Sequence, residues 1–321
     1  MQQVETVSVV VVGGGPAALS ATVVLGRMRH DVLVVDGGMG RNQRSRGVAG
    51  LVPVSGISPT RFEADAWAEL ACYPAVRRRR AQVTAISGEA GRFEVVLDNG
   101  GRRFAERVLL ATGVRDELPP VDGIEELWGT GVVHCVYCDG WELRDLPLAI
   151  LITSLPDVTR AVRLTRVSDD VVACVHPDLE LSPQDLARLD VAGVVLRRGV
   201  VVKVGGQPDG GLREVMLETG EVLQRQALFL HPEVRPRADL ARRLGCRLVG
   251  DAFVEVNALQ QTSVPGVLAA GDVTRSADNA PRADQVAVAS AEGVTAGMVL
   301  DNDLTQTEIA DRISRQETRS S

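Results

Sequence analysis

A run of β-branched residues, Val7 to Val12, stops at Gly13-Gly14-Gly15-Pro16-Ala17-Ala18, and no other feature narrows the fold as much. An unbroken apolar run of this kind is a strand buried on both faces, as in a parallel sheet. After the turn the pattern reads as a helix to about Arg29, and a second apolar run, Val32 to Val35, ends at Asp36. The whole is a βαβ unit with the pattern G-x-G-x-x-A and an acid 23 residues after the first glycine. Glycines at 13 and 15 let the backbone close on a pyrophosphate, and the helix opening at Pro16 and Ala17 offers N–H donors and a positive dipole end. Asp36 would accept hydrogen bonds from ribose hydroxyls. The segment predicts dinucleotide binding, with a tight turn that holds no ligand as the other reading.

The remainder must accommodate that unit. At 321 residues the chain has room for two domains, and 45% apolar content is enough to bury a core in each. A net charge of −7 argues against general nucleic-acid binding. No apolar stretch reaches the ~20 residues of a membrane helix. Met1 to Thr6 has no basic n-region, so no signal peptide is expected and the location is read as cytoplasmic. Five cysteines do not make a disulfide scaffold in a chain this long.

Two further segments specify the dinucleotide. Arg107 to Gly113 is an apolar strand ending in Ala-Thr-Gly, and Val264 to Asp272 is another ending in Gly-Asp. With the N-terminal fingerprint, this set resembles the flavoprotein disulfide reductases. The resemblance implies FAD, with Asp272 on its ribityl chain. It also implies an α/β architecture of two Rossmann-like folds, the second inserted in the first. The FAD domain would be discontinuous, residues 1–116 and 237–321, around an inserted domain at 117–236.

The inserted domain opens with the redox motif, Gly131-Val-Val-His134-Cys135-Val-Tyr137-Cys138-Asp139-Gly140. Thiols at i and i+3 on a helix N-terminus can close a disulfide and exchange it with another dithiol. Asp139 is placed to move a proton if burial raises its pKa. His134 could share that role, or could cap the helix or lie on the surface. A zinc half-site is the competing reading, but it lacks a second ligand pair. Together with Trp141-Glu142-Leu143-Arg144-Asp145, the motif resembles low-molecular-weight thioredoxin reductases from Gly13 to the helix after Gln285. The resemblance implies that Cys138 lies nearer the flavin, that Cys135 exchanges with substrate, that Asp139 is the proton donor and acceptor, and that the protein is a homodimer. The FAD contacts it implies are Gly13, Gly15, Pro16, Ala17, Asp36, Gly37, Arg41, Asn42, Val83, Thr112, Gly113, Gly271, Asp272, Gln285 and Val286.

One expected part is missing. The strand Leu148 to Thr153 leads into Ser154-Leu155-Pro156-Asp157-Val158-Thr159, and no glycine occurs between Trp141 and Ala192. Side chains there would hold a pyrophosphate away, and Asp157 adds negative charge. The second nucleotide site is therefore expected to be degenerate, with no place for NADPH. Without that donor, the chain resembles the FAD-dependent dithiol oxidases that close disulfides in natural products such as gliotoxin, holomycin and romidepsin. That resemblance implies a role in antibiotic biosynthesis: a small-molecule dithiol substrate gives two electrons, and dioxygen takes them to form hydrogen peroxide. The group often has histidine after the second cysteine, where this chain has Asp139. The alternatives are a thioredoxin-disulfide reductase-like enzyme using NADPH or another donor, and a redox-sensing flavoprotein.

The minor features have plain readings. Arg77 to Arg80 reads as a solvated segment, Tyr137 and Trp141 equally as pocket walls or packing, and Cys72, Cys174 and Cys246 as buried small apolar residues. The tail from Asp301 reads as a fraying helix with a disordered end.

Overall fold

In the computed structural model, residues 6–38, 40–208, 210–250, 252–280 and 283–320 are described. The N-terminal residues 1–5, where no signal peptide is expected, and Ser321 at the tail lie outside them. The chain divides into two compact units, Met1–Arg41 with Thr60–Arg115 and Arg235–Ser321, and Asn42–Pro59 with Asp116–Val234. Residues 42–59 thus group with the second unit, although the sequence boundaries place them in the first.

The first unit is built on a seven-stranded sheet. Thr6–Val12 lies between Val32–Asp36 and Arg102–Leu110, parallel to both, and Val267–Ala269 pairs in parallel with Arg102–Leu110. Val76–Arg80 adds a parallel edge to Val32–Asp36. The arginine run is therefore itself an edge strand; its half-buried Arg77 pairs with Asp31 and Arg78 with Asp36 and Glu63, while Arg79 and Arg80 are exposed, so only its end is solvated. The Val-rich central strands are buried on both faces, which is why they read as unbroken apolar runs. Helices Pro16–Arg27 and Val286–Ser320 cover one face. They approach closely because Gly293 and Gly297 have no side chains: a Cβ at Gly293 would lie 2.1 Å from the Ala17 carbonyl oxygen. The last helix continues to Ser320, where the sequence pattern suggested fraying and disorder. Ion pairs one turn apart, Glu308 with Arg312 and Asp311 with Arg315, support its exposed end.

The second unit has an all-parallel five-stranded sheet in the order Val195–Arg198, Val171–Val175, Leu148–Ile152, Ala227–Phe229, Val132–Val133. Helices Leu155–Leu164 and Pro183–Val191 pack on one face. An antiparallel sheet of Val201–Gly206, Leu212–Leu217 and Val222–Gln224 covers the other. Both units are mixed α/β layers built around parallel strands with helices packed on one face, the arrangement expected of a pair of Rossmann-like folds.

Candidate functional site

Strand Val132–Val133 runs directly into the redox motif. Val136–Asp139 is a single helical turn with Cys135 as its N-cap. Cys135 and Cys138 form a disulfide with Cα atoms 5.2 Å apart, and the Cys138 N–H points at Cys135 Sγ, 3.1 Å away. A cavity of about 90 Å³ borders this turn, lined on one side by Cys138, Asp139, Glu142 and Leu143 and on the other by Arg46, Gly47, Ala49 and Gly56. The segment 42–59 therefore supplies a wall of the sulfur site.

The Asp139 carboxyl is pushed up to about 7, first by burial and then by the Glu142 carboxylate, while the Arg46 guanidinium pulls it down. A group that exchanges its proton near neutrality, beside Cys138, is equipped to serve thiol–disulfide exchange. His134 stacks on Trp128 with ring centroids 5.7 Å apart and is not part of the cavity lining. Tyr137 and Trp141 are 70% and 69% exposed, with Arg163 over the first ring and Arg144 over the second. Cys174 and Cys246 are buried as expected, and burial pushes the Cys174 thiol up to about 11. Cys72 is exposed instead, because it falls in the turn after helix Pro59–Leu70.

The first unit holds most of the dinucleotide candidates. Gly13 has φ +121°, and a Cβ there would lie 2.2 Å from the Ala111 carbonyl oxygen. A Cβ at Gly14 would meet the Asp36 carboxyl at 2.3 Å. Gly15 is the N-cap of helix Pro16–Arg27 with no side-chain cap, and nothing lies within 4 Å of its Cβ position. Pro16 and buried Ala17 begin the helix, so its first N–H groups face an open, glycine-lined turn. These residues fit a dinucleotide pyrophosphate.

Asp36 ends its strand at 6% exposure and accepts the Gly38 N–H at 2.8 Å, with Gly37 exposed between them. Val83 opens the strand Val83–Glu89. Thr112 Oγ1 donates to the Arg237 carbonyl at 2.7 Å, and Gly113 turns at φ +65°. Gly271 donates its N–H to Glu292 at 2.8 Å. Arg41 bridges Asp272 and Asp284, each at 3.1 Å, next to Gln285 and to Val286 at the start of the last helix. Asn42 falls in the second unit, where its carbonyl accepts the Ser45 N–H.

The equivalent turn of the second unit is built differently. Helix Leu155–Leu164 has Ser154 as N-cap, and Asp157, 1% exposed, folds its carboxylate back over the helix start. Its Oδ2 accepts from Thr153 N–H at 3.1 Å, Ser154 N–H at 2.9 Å and Ser154 Oγ at 2.8 Å, and its Oδ1 pairs with Arg160 at 2.5 Å. The N–H groups of Thr153 and Ser154, at the turn into the helix, thus meet an internal carboxylate.

Sequence reasoning missed Arg46, Glu142 and Arg78 as members of these sites. It read Asp157 as negative charge where a phosphate would lie, and missed that Ser-x-x-Asp before an apolar helix face is a capping-box signal.

The chain matches the pyridine nucleotide-disulphide oxidoreductase family over residues 7–293. Thioredoxin reductase tcpT of Claviceps purpurea is 29% identical, over 86% of this chain and 89% of that protein. The crystal structure of HlmI is similar at 34% identity and TM-score 0.90, covering 98% of both chains. A putative thioredoxin reductase TrxB from Bacillus anthracis is 28% identical with TM-score 0.85, over 94% of this chain and 99% of that one.

Proposed function

The chain belongs to the pyridine nucleotide-disulphide oxidoreductase family as a thioredoxin reductase-like, FAD-binding oxidoreductase, and from that premise we propose that it oxidises a small-molecule dithiol to an intramolecular disulfide. The observation that carries this reading is the contrast between its two nucleotide turns. At Gly13–Gly15 the helix start is open and glycine-lined, whereas at Ser154–Asp157 it is filled by the protein's own buried carboxylate. A second dinucleotide would have to displace four contacts and face that negative charge, so electrons enter from sulfur.

A substrate thiolate attacks Cys135 Sγ, the Cys135–Cys138 bond breaks, and Cys138 leaves as thiolate. The second substrate sulfur then attacks the substrate sulfur of the mixed disulfide, closing the product ring and releasing Cys135. Asp139 accepts a substrate thiol proton. Re-forming the Cys135–Cys138 disulfide removes two electrons from the two cysteine sulfurs; FAD, when bound, would accept them, and dioxygen would take them on with two protons as hydrogen peroxide. Gly13, Gly15, Pro16, Ala17 and Asp36 would hold its adenosine and pyrophosphate, and Gly37, Arg41, Val83, Thr112, Gly113, Gly271, Asp272, Gln285 and Val286 are the other candidate contacts in the first unit.

A role in antibiotic biosynthesis, a cytoplasmic location and a homodimer belong to the same proposal. Val294 and Met298, exposed one turn apart on the last helix, suit a subunit contact. The second reading, a thioredoxin-disulfide reductase-like enzyme with NADPH or another donor, is favoured by Asp139 in the position the reductases use.

Anaerobic spectroscopy separates the two. The purified yellow protein, given NADPH, NADH and a simple dithiol in turn, should bleach only with the dithiol and should form peroxide once air is admitted. Rapid bleaching by NADPH, or turnover of a thioredoxin disulfide, would select the reductase reading.

A further inference from the structure

We infer that Arg78 is a positioning residue for FAD, acting through Asp36. This inference concerns the cofactor and holds under either reading of the reaction. Strand Val76–Arg80 pairs in register with Val32–Asp36, Val34 opposite Arg78 and Asp36 opposite Arg80. With side chains alternating along a strand, Asp36 and Arg78 share a face. Arg78 Nη2 donates to Asp36 Oδ2 at 2.7 Å and to Glu63 Oε1 at 2.5 Å.

Its guanidinium lies 4.2 Å from the centre of the Trp67 ring, and Glu63 and Trp67 stand one turn apart on helix Pro59–Leu70. The fork is thus clamped from the helix side and aimed at the acid. Asp36 in turn sits against the glycine turn, since a Cβ on Gly14 would touch its carboxyl.

Two details point to a purpose beyond holding the sheet edge. Arg78 Nε and Trp67 Nε1 are both shielded from solvent without a hydrogen-bond partner among the described residues, which is uncommon for buried donors. Asp36 also stands as a nearly buried anion beside a turn built for an anionic pyrophosphate. Arg78 offsets that charge and fixes the carboxylate's orientation, leaving lone pairs free for ribose hydroxyls.

The test is FAD affinity. Arg78→Met keeps the stem over Trp67 and removes the charge. Apoprotein prepared from each holoenzyme is titrated with FAD by quenching of flavin fluorescence, and its unfolding is followed by circular dichroism. Arg78→Met should raise the FAD Kd about ten- to a hundredfold, the range of a lost charge-assisted hydrogen bond, with a smaller loss for Arg78→Lys. Asp36→Asn combined with Arg78→Met should bind no more weakly than the poorer single variant, because both changes remove one interaction.

A Kd unchanged in Arg78→Met, or losses that multiply in the double variant, would overturn the inference. Should Arg78→Met fail to fold, Arg78→Lys decides, since it keeps the charge but not the fork, and wild-type affinity in it would count equally against the role.

Discussion

The Asp139 carboxyl offers the sharpest handle on the proposed chemistry. Burial, then Glu142, raise it to about 7, with Arg46 opposing. If it accepts the proton of the attacking substrate thiol, only its ionised form works. A group with that pKa is about one-tenth ionised at pH 6 and nine-tenths at pH 8, so the sulfur-exchange rate should rise roughly tenfold across that window. Substrate thiols also titrate, so the measurement has to be a comparison. Anaerobic stopped-flow bleaching of the flavin by one dithiol is followed from pH 5.5 to 9 in wild type, Asp139→Asn and Glu142→Gln. Asp139→Asn should lose the limb near 7 and keep only the slope due to the dithiol. Glu142→Gln removes a cause of the upward shift, so its limb should move to lower pH. The stability signature has a definite sign. Because folding raises this carboxyl, its contribution is full below the ordinary aspartate range and is lost as pH climbs through about 7. Asp139→Asn should therefore stabilise the protein more at pH 8 than at pH 5. Parallel pH profiles for wild type and Asp139→Asn would refute the assignment.

Three further outcomes are expected. Cys135→Ser and Cys138→Ser should each abolish dithiol oxidation, measured as peroxide formed, while the flavin absorbance per protein stays at the wild-type level. Gly13→Ala forces a side chain against the Ala111 carbonyl at a left-handed φ, so the purified variant should lose most of its FAD, read as the ratio of visible to ultraviolet absorbance. Asp157→Ala removes a helix cap and strips Arg160 of its partner; as Arg160 is only partly buried, the cost should be about 2 kcal/mol in urea unfolding of the second unit.

What could be read from the sequence was what is encoded locally. Val7 to Asp36 carries its strand, turn, helix and acid within one contiguous stretch, and Cys135 and Cys138 are bridged across a single turn, so neighbours in sequence are neighbours in space. Arg78 was read as solvated because its partners, Asp36 and Glu63, are 42 and 15 residues away and meet it only through sheet pairing and helix packing. Arg46 and Gly47 were invisible for the same reason: only folding brings segment 42–59 to the redox turn as the far wall of its cavity. Cys72 is the opposite case, a small apolar residue whose exposure is set by the turn it occupies.

If the proposed function holds and the Ser154–Asp157 turn takes no nucleotide, the two turns give a reason for keeping the second domain. Val132–Val133 is the edge strand of the second sheet, hydrogen-bonded to Ala227–Phe229, and the disulfide begins two residues beyond it. The strands behind that edge, Leu148–Ile152 and Val171–Val175, are entirely buried. A four-residue helix has too few internal hydrogen bonds to hold two sulfurs in place by itself, so the geometry of the redox turn is borrowed from this sheet. Losing the sheet would free Cys135 and Cys138, whereas losing the phosphate cradle costs the sheet nothing once Asp157 satisfies the exposed N–H groups. Selection acting on sulfur chemistry alone would retain the scaffold and cap the vacant helix, which is the arrangement found at Ser154–Asp157.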